Sequence, residues 1–197
     1  MQELMVDFIT SLDGYGAAEG WPGWWGLEGP DYLGWLDREA RDFTTLMGAN
    51  TYLLMSGLAT QAAAAGDEMT DEDAASDELT RMPKVVFSST LEEPLSWANT
   101  QLVRGDAVEV VAGMKRDGTR PMHTLGSLSL CRSLLEAGLV DRFRVVVFPV
   151  ITGSTGRERI YDGYPDVALE MVDSRTFDGR TQLLEYVPRV LAEPPGA

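Results

Sequence analysis

The stretch "TLGSLSLCRSLLEAGLVDR", residues 124–142, sets a glycine and a serine straight after an apolar approach and then starts a leucine-rich pattern with no connecting loop. Leu128, Cys131, Leu134 and Leu135 fall on one face of a 3.6-residue repeat, and Gly138 stands where the helix would stop. "PMHTLG" ahead of it reads as a strand. A strand that ends in glycine and turns directly into a helix aims the helix's first, unpaired amide groups beyond the sheet edge, with their partial positive charge. Phosphate suits such an end. Gly126 lets the backbone approach a ligand without a Cβ in the way, and Ser127 and Ser129 carry hydroxyls able to donate. Alone, the same residues also make an ordinary tight turn and cap.

Two neighbouring patterns add weight. "MGANT", 47–51, repeats the order strand, glycine, helix start, and "FSS", 87–89, leaves two hydroxyls at another strand end. Ligands of open α/β sheets collect outside the carboxyl ends of the strands, so three such ends indicate one extended, phosphate-bearing ligand. Elsewhere, "ELMVDFIT" is a first strand, and "SLDGYGA" with "EGWPGWWGLEGP" a glycine-punctuated loop. "DYLGWLDREARDF" is a helix with Leu33, Leu36, Ala40 and Phe43 at helical spacing. "FTTLMG" reads as a strand, and "NTYLLMSGLA" as a helix that Asn50 or Thr51 would cap. "KVVFSS" is a strand, "DAVEVVAGMKRDG" a helix stopped by Gly118, and "DRFRVVVFPVI" a strand buried on both faces. Asp178-Gly179 between two alternating runs marks a terminal hairpin. The alternation of strand and helix predicts an α/β fold with a mainly parallel sheet and an antiparallel edge.

Composition narrows the function. With 197 residues, 44% of them hydrophobic, one domain over 1–197 is expected, carrying an acidic surface insertion at about 60–80 whose core, "GDEMTDEDAASDE" (66–78), has seven acids and no base. A net charge of −15 opposes nucleic acid and anionic membrane as partners. No apolar run approaches the roughly 20 residues of a membrane span, so a soluble, cytoplasmic protein is expected. One cysteine and one histidine leave no disulfide and argue against a structural metal.

"SLDGYGA", "MGANTY", "KVVFSST", "LGSLSLCRSLLEAGLVD" and "FPVITGSTG", in this order and spacing, resemble the reductase domain (the RibD C-terminal domain) of bacterial bifunctional riboflavin deaminase-reductases and their stand-alone relatives. The resemblance spans about residues 3–188. It implies a dihydrofolate-reductase-like three-layer sandwich, a twisted, mainly parallel central sheet with helices on both faces and a C-terminal antiparallel hairpin. It also implies NADPH as cofactor, with NADH the alternative, and hydride transfer to a small heterocyclic substrate. Carried onto this chain, Gly48, Ala49, Asn50 and Thr51 would lie at one helix start, and Leu125, Gly126, Ser127 and Leu128 at the other. Ser88 and Ser89 would lie near the adenosine, with Ile9, Ala17 and Gly153 at the nicotinamide end. The family commonly has arginine, a bidentate partner for a 2′-phosphate, where this chain has Ala49. Either Arg104 substitutes, or NADH is accepted, or cofactor binding is weaker. Relatives commonly form homodimers, which makes the terminal hairpin an expected interface.

Four of the five tryptophans, Trp21, Trp24, Trp25 and Trp35, fall within fifteen residues. Trp24 and Trp25 are the candidates for stacking on a flat substrate, against plain lid and core packing, and Trp35 suits the core. Asp31, near the start of the first helix, is the candidate proton donor, which requires a carboxyl raised in pKa by an apolar surround. An acid in a first helical turn is the competing account. Asp13 reads as a loop-stabilising residue, His123 as a packed strand residue and Cys131 as core. A nucleotide-binding or protein-interaction module on the same fold, without turnover, remains the alternative.

Overall fold

The computed structural model describes residues 1–21, 25–39, 42–65 and 79–193. The acidic stretch 66–78 and Trp24 lie outside the described residues. The main sheet holds eight strands in the order β5-β4-β3-β6-β1-β7-β10-β9. In chain order these are β1 (Leu4–Ser11), β3 (Thr44–Gly48), β4 (Lys84–Phe87), β5 (Thr100–Val103), β6 (Met122–Thr124), β7 (Arg142–Phe148), β9 (Val167–Phe177) and β10 (Thr181–Val190). The first six strands in that order run parallel, and β10 and β9 are antiparallel. The α-helices that pack on the sheet are α1 (Pro30–Glu39), α2 (Ala49–Ala65), α3 (Ala107–Asp117) and α4 (Leu128–Glu136). A separate ribbon pairs β2 (Tyr15–Ala18) with β8 (Gly156–Arg159).

Strand parity assigns the helices to faces, because successive side chains point to opposite sides. Leu4, Val6 and Phe8 of β1 join Phe143 and Val145 of β7 and Leu46 of β3 in one cluster with Val111 of α3 and Leu130, Cys131, Leu134 and Leu135 of α4. The opposite face carries two separate clusters. Tyr32 and Trp35 of α1 pack on Val146, Phe148, Phe177 and Leu183. Tyr52 of α2 packs on Met47, Val86 and Trp97. Helices on both sides of the sheet make three layers.

Local chemistry accounts for the ends. Asp106 caps α3 by accepting from the amides of Val108 and Glu109. After α4, Gly138 takes φ +66°, and the amides of Gly138 and Leu139 return to the carbonyls of Leu135 and Leu134, closing a Schellman stop. Asp178 and Gly179 both have positive φ, and the Arg180 amide reaches the Phe177 carbonyl at 2.9 Å, the tight turn that matches strand twist. No described helix is long and apolar enough to cross a membrane.

Several sequence expectations change. The segment read as a loop at "SLDGYGA" forms β2, because β8 supplies it with main-chain partners from a distant part of the chain. Strand β5 carries no alternation strong enough to announce it. Helix α1 ends at Glu39, so Phe43 lies outside it and stacks on His123 at 5.0 Å, while Ala40 is outside the described residues. Helix α2 starts at Ala49, which puts Asn50 and Thr51 inside its first turn instead of at a cap.

Candidate functional site

The turns after β3 and β6 meet at the carboxyl edge of the sheet. Gly126 (φ +55°) and Ser127 (φ +64°) are both left-handed, a conformation that costs a non-glycine residue roughly 1 kcal/mol or more. That geometry turns the Ser127 hydroxyl back onto the neighbouring turn. It accepts from the Gly48 amide at 2.7 Å and shares a 2.8 Å hydrogen bond with the Thr51 hydroxyl. The approach is close: a Cβ on Gly126 would sit 3.3 Å from Thr51 Oγ1, and one on Gly48 3.4 Å from Ser127 Oγ. Ser127 is therefore a strut between the turns, with its hydroxyl engaged by Gly48 and Thr51. It makes no side-chain cap on α4, whose first amides stay uncovered by any side chain of their own cap residue. The Leu125 amide, just upstream, is held by the Leu46 carbonyl.

Next to this pair, Ser88 spends its hydroxyl on the amides of Thr90 and Leu91, and Ser89 is exposed. Arg104, at the end of β5, donates to the carbonyls of Ser89 and Leu91 and so lies across the strand-terminal serines. On the other side, β2 and β8 continue from the ends of β1 and β7. Asp13 fastens that corner, accepting from the Ser11 hydroxyl and from the amides of Thr152 and Gly153. The Ser11 bond first, with the two amides, holds its carboxyl down at about 2. Gly153 takes φ +52° there, and Ala17 sits opposite Arg157 in the ribbon. Ile9 lies half-buried at the margin of the α1 cluster.

The expectations for the α1 region fare differently. Asp31 is exposed in the first helical turn, with its amide donating to Asp178, so it lacks the apolar surround that a raised carboxyl needs. Trp25 is 2% exposed and packs edge-on to Trp21, which corrects its reading as an open stacking face for substrate. Its indole Nε1 has no hydrogen-bond partner among the described residues. Trp35 is core, as expected of its helical position.

Two features escaped the sequence. Asp178 caps α1 from 147 residues away, accepting from the amides of Asp31 and Tyr32, and a Cβ at Gly29 would overlap its carboxyl. Arg144 of β7 makes a two-point contact with Asp7 of β1 at 3.1 and 2.6 Å and a third with Glu39 of α1 at 3.1 Å. Its guanidinium lies 5.0 Å over the Trp35 ring. The signal was present: Asp7 in "LMVDFITS" and Arg144 in "RFRVVVF" are charges inside apolar strands, and such charges are rarely buried unless paired. His123, expected as a packed strand residue, shares a 2.8 Å hydrogen bond with Thr45 across the β6–β3 pairing, and burial pushes its ring down to about 4, so it is neutral at pH 7. Cys131 is fully buried against the Gly126 carbonyl, and burial pushes its thiol up to about 12.

The fold thus defines an α/β protein of the dihydrofolate-reductase-like class, with its candidate site where two strand-to-helix turns join. Solved structures share that fold. A riboflavin biosynthesis protein, described as putative, from Shewanella sp. PV-4 is 18% identical with TM-score 0.65, covering 95% of this chain and 99% of its own. A pyrimidine reductase-like protein from Corynebacterium diphtheriae is 13% identical, TM-score 0.62, covering 95% and 92%. An uncharacterized protein of Bacillus subtilis, YyaP, is 25% identical over 185 residues, 94% of each chain. The RibD C-terminal domain pattern matches residues 2–183, and the chain belongs to that family. Against the Thermotoga maritima diaminohydroxyphosphoribosylaminopyrimidine deaminase/5-amino-6-(5-phosphoribosylamino)uracil reductase, 14% identical with TM-score 0.62, this chain spans 57% of the length.

Proposed function

We propose that this protein is a nicotinamide-dependent reductase acting on a small heterocyclic substrate. The observation that supports the reading is the Ser127 strut, which ties the glycine turn before α2 to the glycine turn before α4 at the sheet edge. The residues present fit a dinucleotide diphosphate, since both glycines occupy places a Cβ would crowd and α4 starts without a side-chain cap. Gly48, Ala49, Asn50 and Thr51 with Leu125, Gly126, Ser127 and Leu128 would hold the diphosphate. Ser88 and Ser89 would meet the adenosine, and Ile9, Ala17 and Gly153 the nicotinamide end. When bound, the cofactor supplies the hydride; the chain's part is to orient, to exclude water and to hold the turns rigid.

Family membership supports NADPH as the cofactor. Ala49 offers no cation to a 2′-phosphate, and Arg104 is engaged with two carbonyls, so NADH is an expected second donor. Adding either dinucleotide to the purified protein should raise its melting temperature and enhance nicotinamide fluorescence. Silence towards both would overturn the reading. The exposed Asp31 favours one second reading, a module that binds the dinucleotide without turnover. Binding with no cofactor oxidation across a panel of heterocycles would establish it. We also place a second copy of the chain on the hairpin, whose Leu169, Met171 and Val190 are exposed on the face shared with Val145. Sedimentation should report a dimer.

A further inference from the structure

We propose that Arg104, just past the end of β5, is the residue by which this protein tells a phosphorylated dinucleotide from an unphosphorylated one, its guanidinium pairing with a phosphate monoester on the adenosine ribose. The proposal rests on the reductase reading and assigns one side chain to one group of that cofactor.

The order of the strands places it. Along the carboxyl edge the sequence β5-β4-β3-β6 sets β4 one strand spacing beyond the β3 turn and β5 two, with each spacing about 4.8 Å. A diphosphate at the starts of α2 and α4 then has its adenosine half over the end of β4, at Ser88 and Ser89, and a group on the outer side of that ribose faces β5. Val103 is the last residue of β5, and Arg104 follows it directly. Its side chain turns back over β4, donating to the Ser89 carbonyl at 3.2 Å and the Leu91 carbonyl at 2.6 Å. Ser89 brings an exposed hydroxyl to the same point.

The loop that Arg104 grips is itself tied down. The Ser88 amide donates to the Val103 carbonyl at 3.1 Å, and the Ser88 hydroxyl accepts from the amides of Thr90 and Leu91, each at 3.1 Å. A long side chain already held in one geometry loses less freedom when a ligand arrives.

Its charge stays uncompensated. The two carbonyls take two of the guanidinium's five N–H groups and neutralise nothing. Among the described residues its partners are those carbonyls and no carboxylate. Asp106, two residues on, commits its carboxylate to the amides of Val108 and Glu109. At the other end of the same edge the arginines are paired, Arg157 with Glu19 and Arg159 with Asp162. In a chain of net charge −15, an arginine left with neutral partners at a strand end attracts an anion that the rest of the surface repels.

The test titrates NADPH and NADH by calorimetry into the wild type, Arg104→Gln and Arg104→Lys, with adenosine 2′,5′-bisphosphate and adenosine 5′-monophosphate as a fragment pair. The wild type should bind NADPH about tenfold tighter than NADH at low salt, leaving NADH a weaker second donor. In Arg104→Gln that preference should fall to within about threefold while the affinity for NADH holds, and Arg104→Lys should restore part of it. The fragments should follow the same order. Because the pair is exposed, added salt should shrink the wild-type preference and leave that of Arg104→Gln unchanged. Equal affinities in the wild type, an undiminished preference in Arg104→Gln, or an equal loss of both dinucleotides in that variant would each overturn the assignment. Silence towards both dinucleotides in the wild type would fail the reductase reading, whereas NADH binding without a preference for NADPH fails this assignment alone.

Discussion

The two faces of the central sheet are built by different rules. Under α3 and α4, strand side chains alternate into one unbroken apolar cluster, with Cys131 and Leu134 entirely out of solvent. On the side of α1 and α2, Asp7 and Arg144 of the strands pair with each other and Arg144 with Glu39 of α1, beside a hydrogen-bonded histidine and two smaller clusters. Burying ionised groups costs stability unless each is paired, so a face that keeps them is organised around something other than packing.

Separating the two faces experimentally begins with Arg144. Arg144→Ala removes the two-point partner of Asp7 and should cost about 3–5 kcal/mol in urea unfolding. On the closed face, under α3 and α4, Leu134→Ala should cost about 3 kcal/mol through the cavity it leaves, yet leave dinucleotide affinity unchanged. If Leu134→Ala weakens the dinucleotide, the division between the faces is wrong.

His123 sharpens the contrast through pH. Its folded pKa of about 4 lies below the ordinary 6.5, so between those values the unfolded chain takes up a proton that the folded protein refuses. Stability from this group is complete above about pH 6.5, falls by up to about 3 kcal/mol as pH drops towards 4, and is flat below. That slope should vanish in His123→Gln, measured by unfolding at a series of pH values. A smaller effect is expected at Asp178→Ala, which removes the distant cap of α1 and should cost about 1 kcal/mol, with a lowered melting temperature as the readout.

The closed face was largely legible from sequence, because Leu128, Cys131, Leu134 and Leu135 announce a helix face directly, and the run Val145 to Phe148 a strand buried on both faces. The two glycine turns were legible as well, since glycine before a helix start has few explanations. The direction of the Ser127 hydroxyl was not: it follows from a left-handed backbone that sequence favours at glycine but not at serine. Asp178 could be read as a turn residue, but its carboxylate acts 147 residues away, on a helix start that only the folded chain brings to it. Asp7 and Arg144 were visible as charges in apolar strands, whereas their pairing depends on the β1–β7 register, in which they stand directly opposite. Trp25 misled because aromatic content near a loop does not distinguish a face offered to ligand from one turned into the core.

The most direct test follows backbone amide resonances of the isotope-labelled protein while NADPH is added. The account predicts that amides of Ala49 to Thr51 and of Leu128 to Leu130 shift together and saturate at one dinucleotide per chain. Binding that leaves either group unmoved would contradict it.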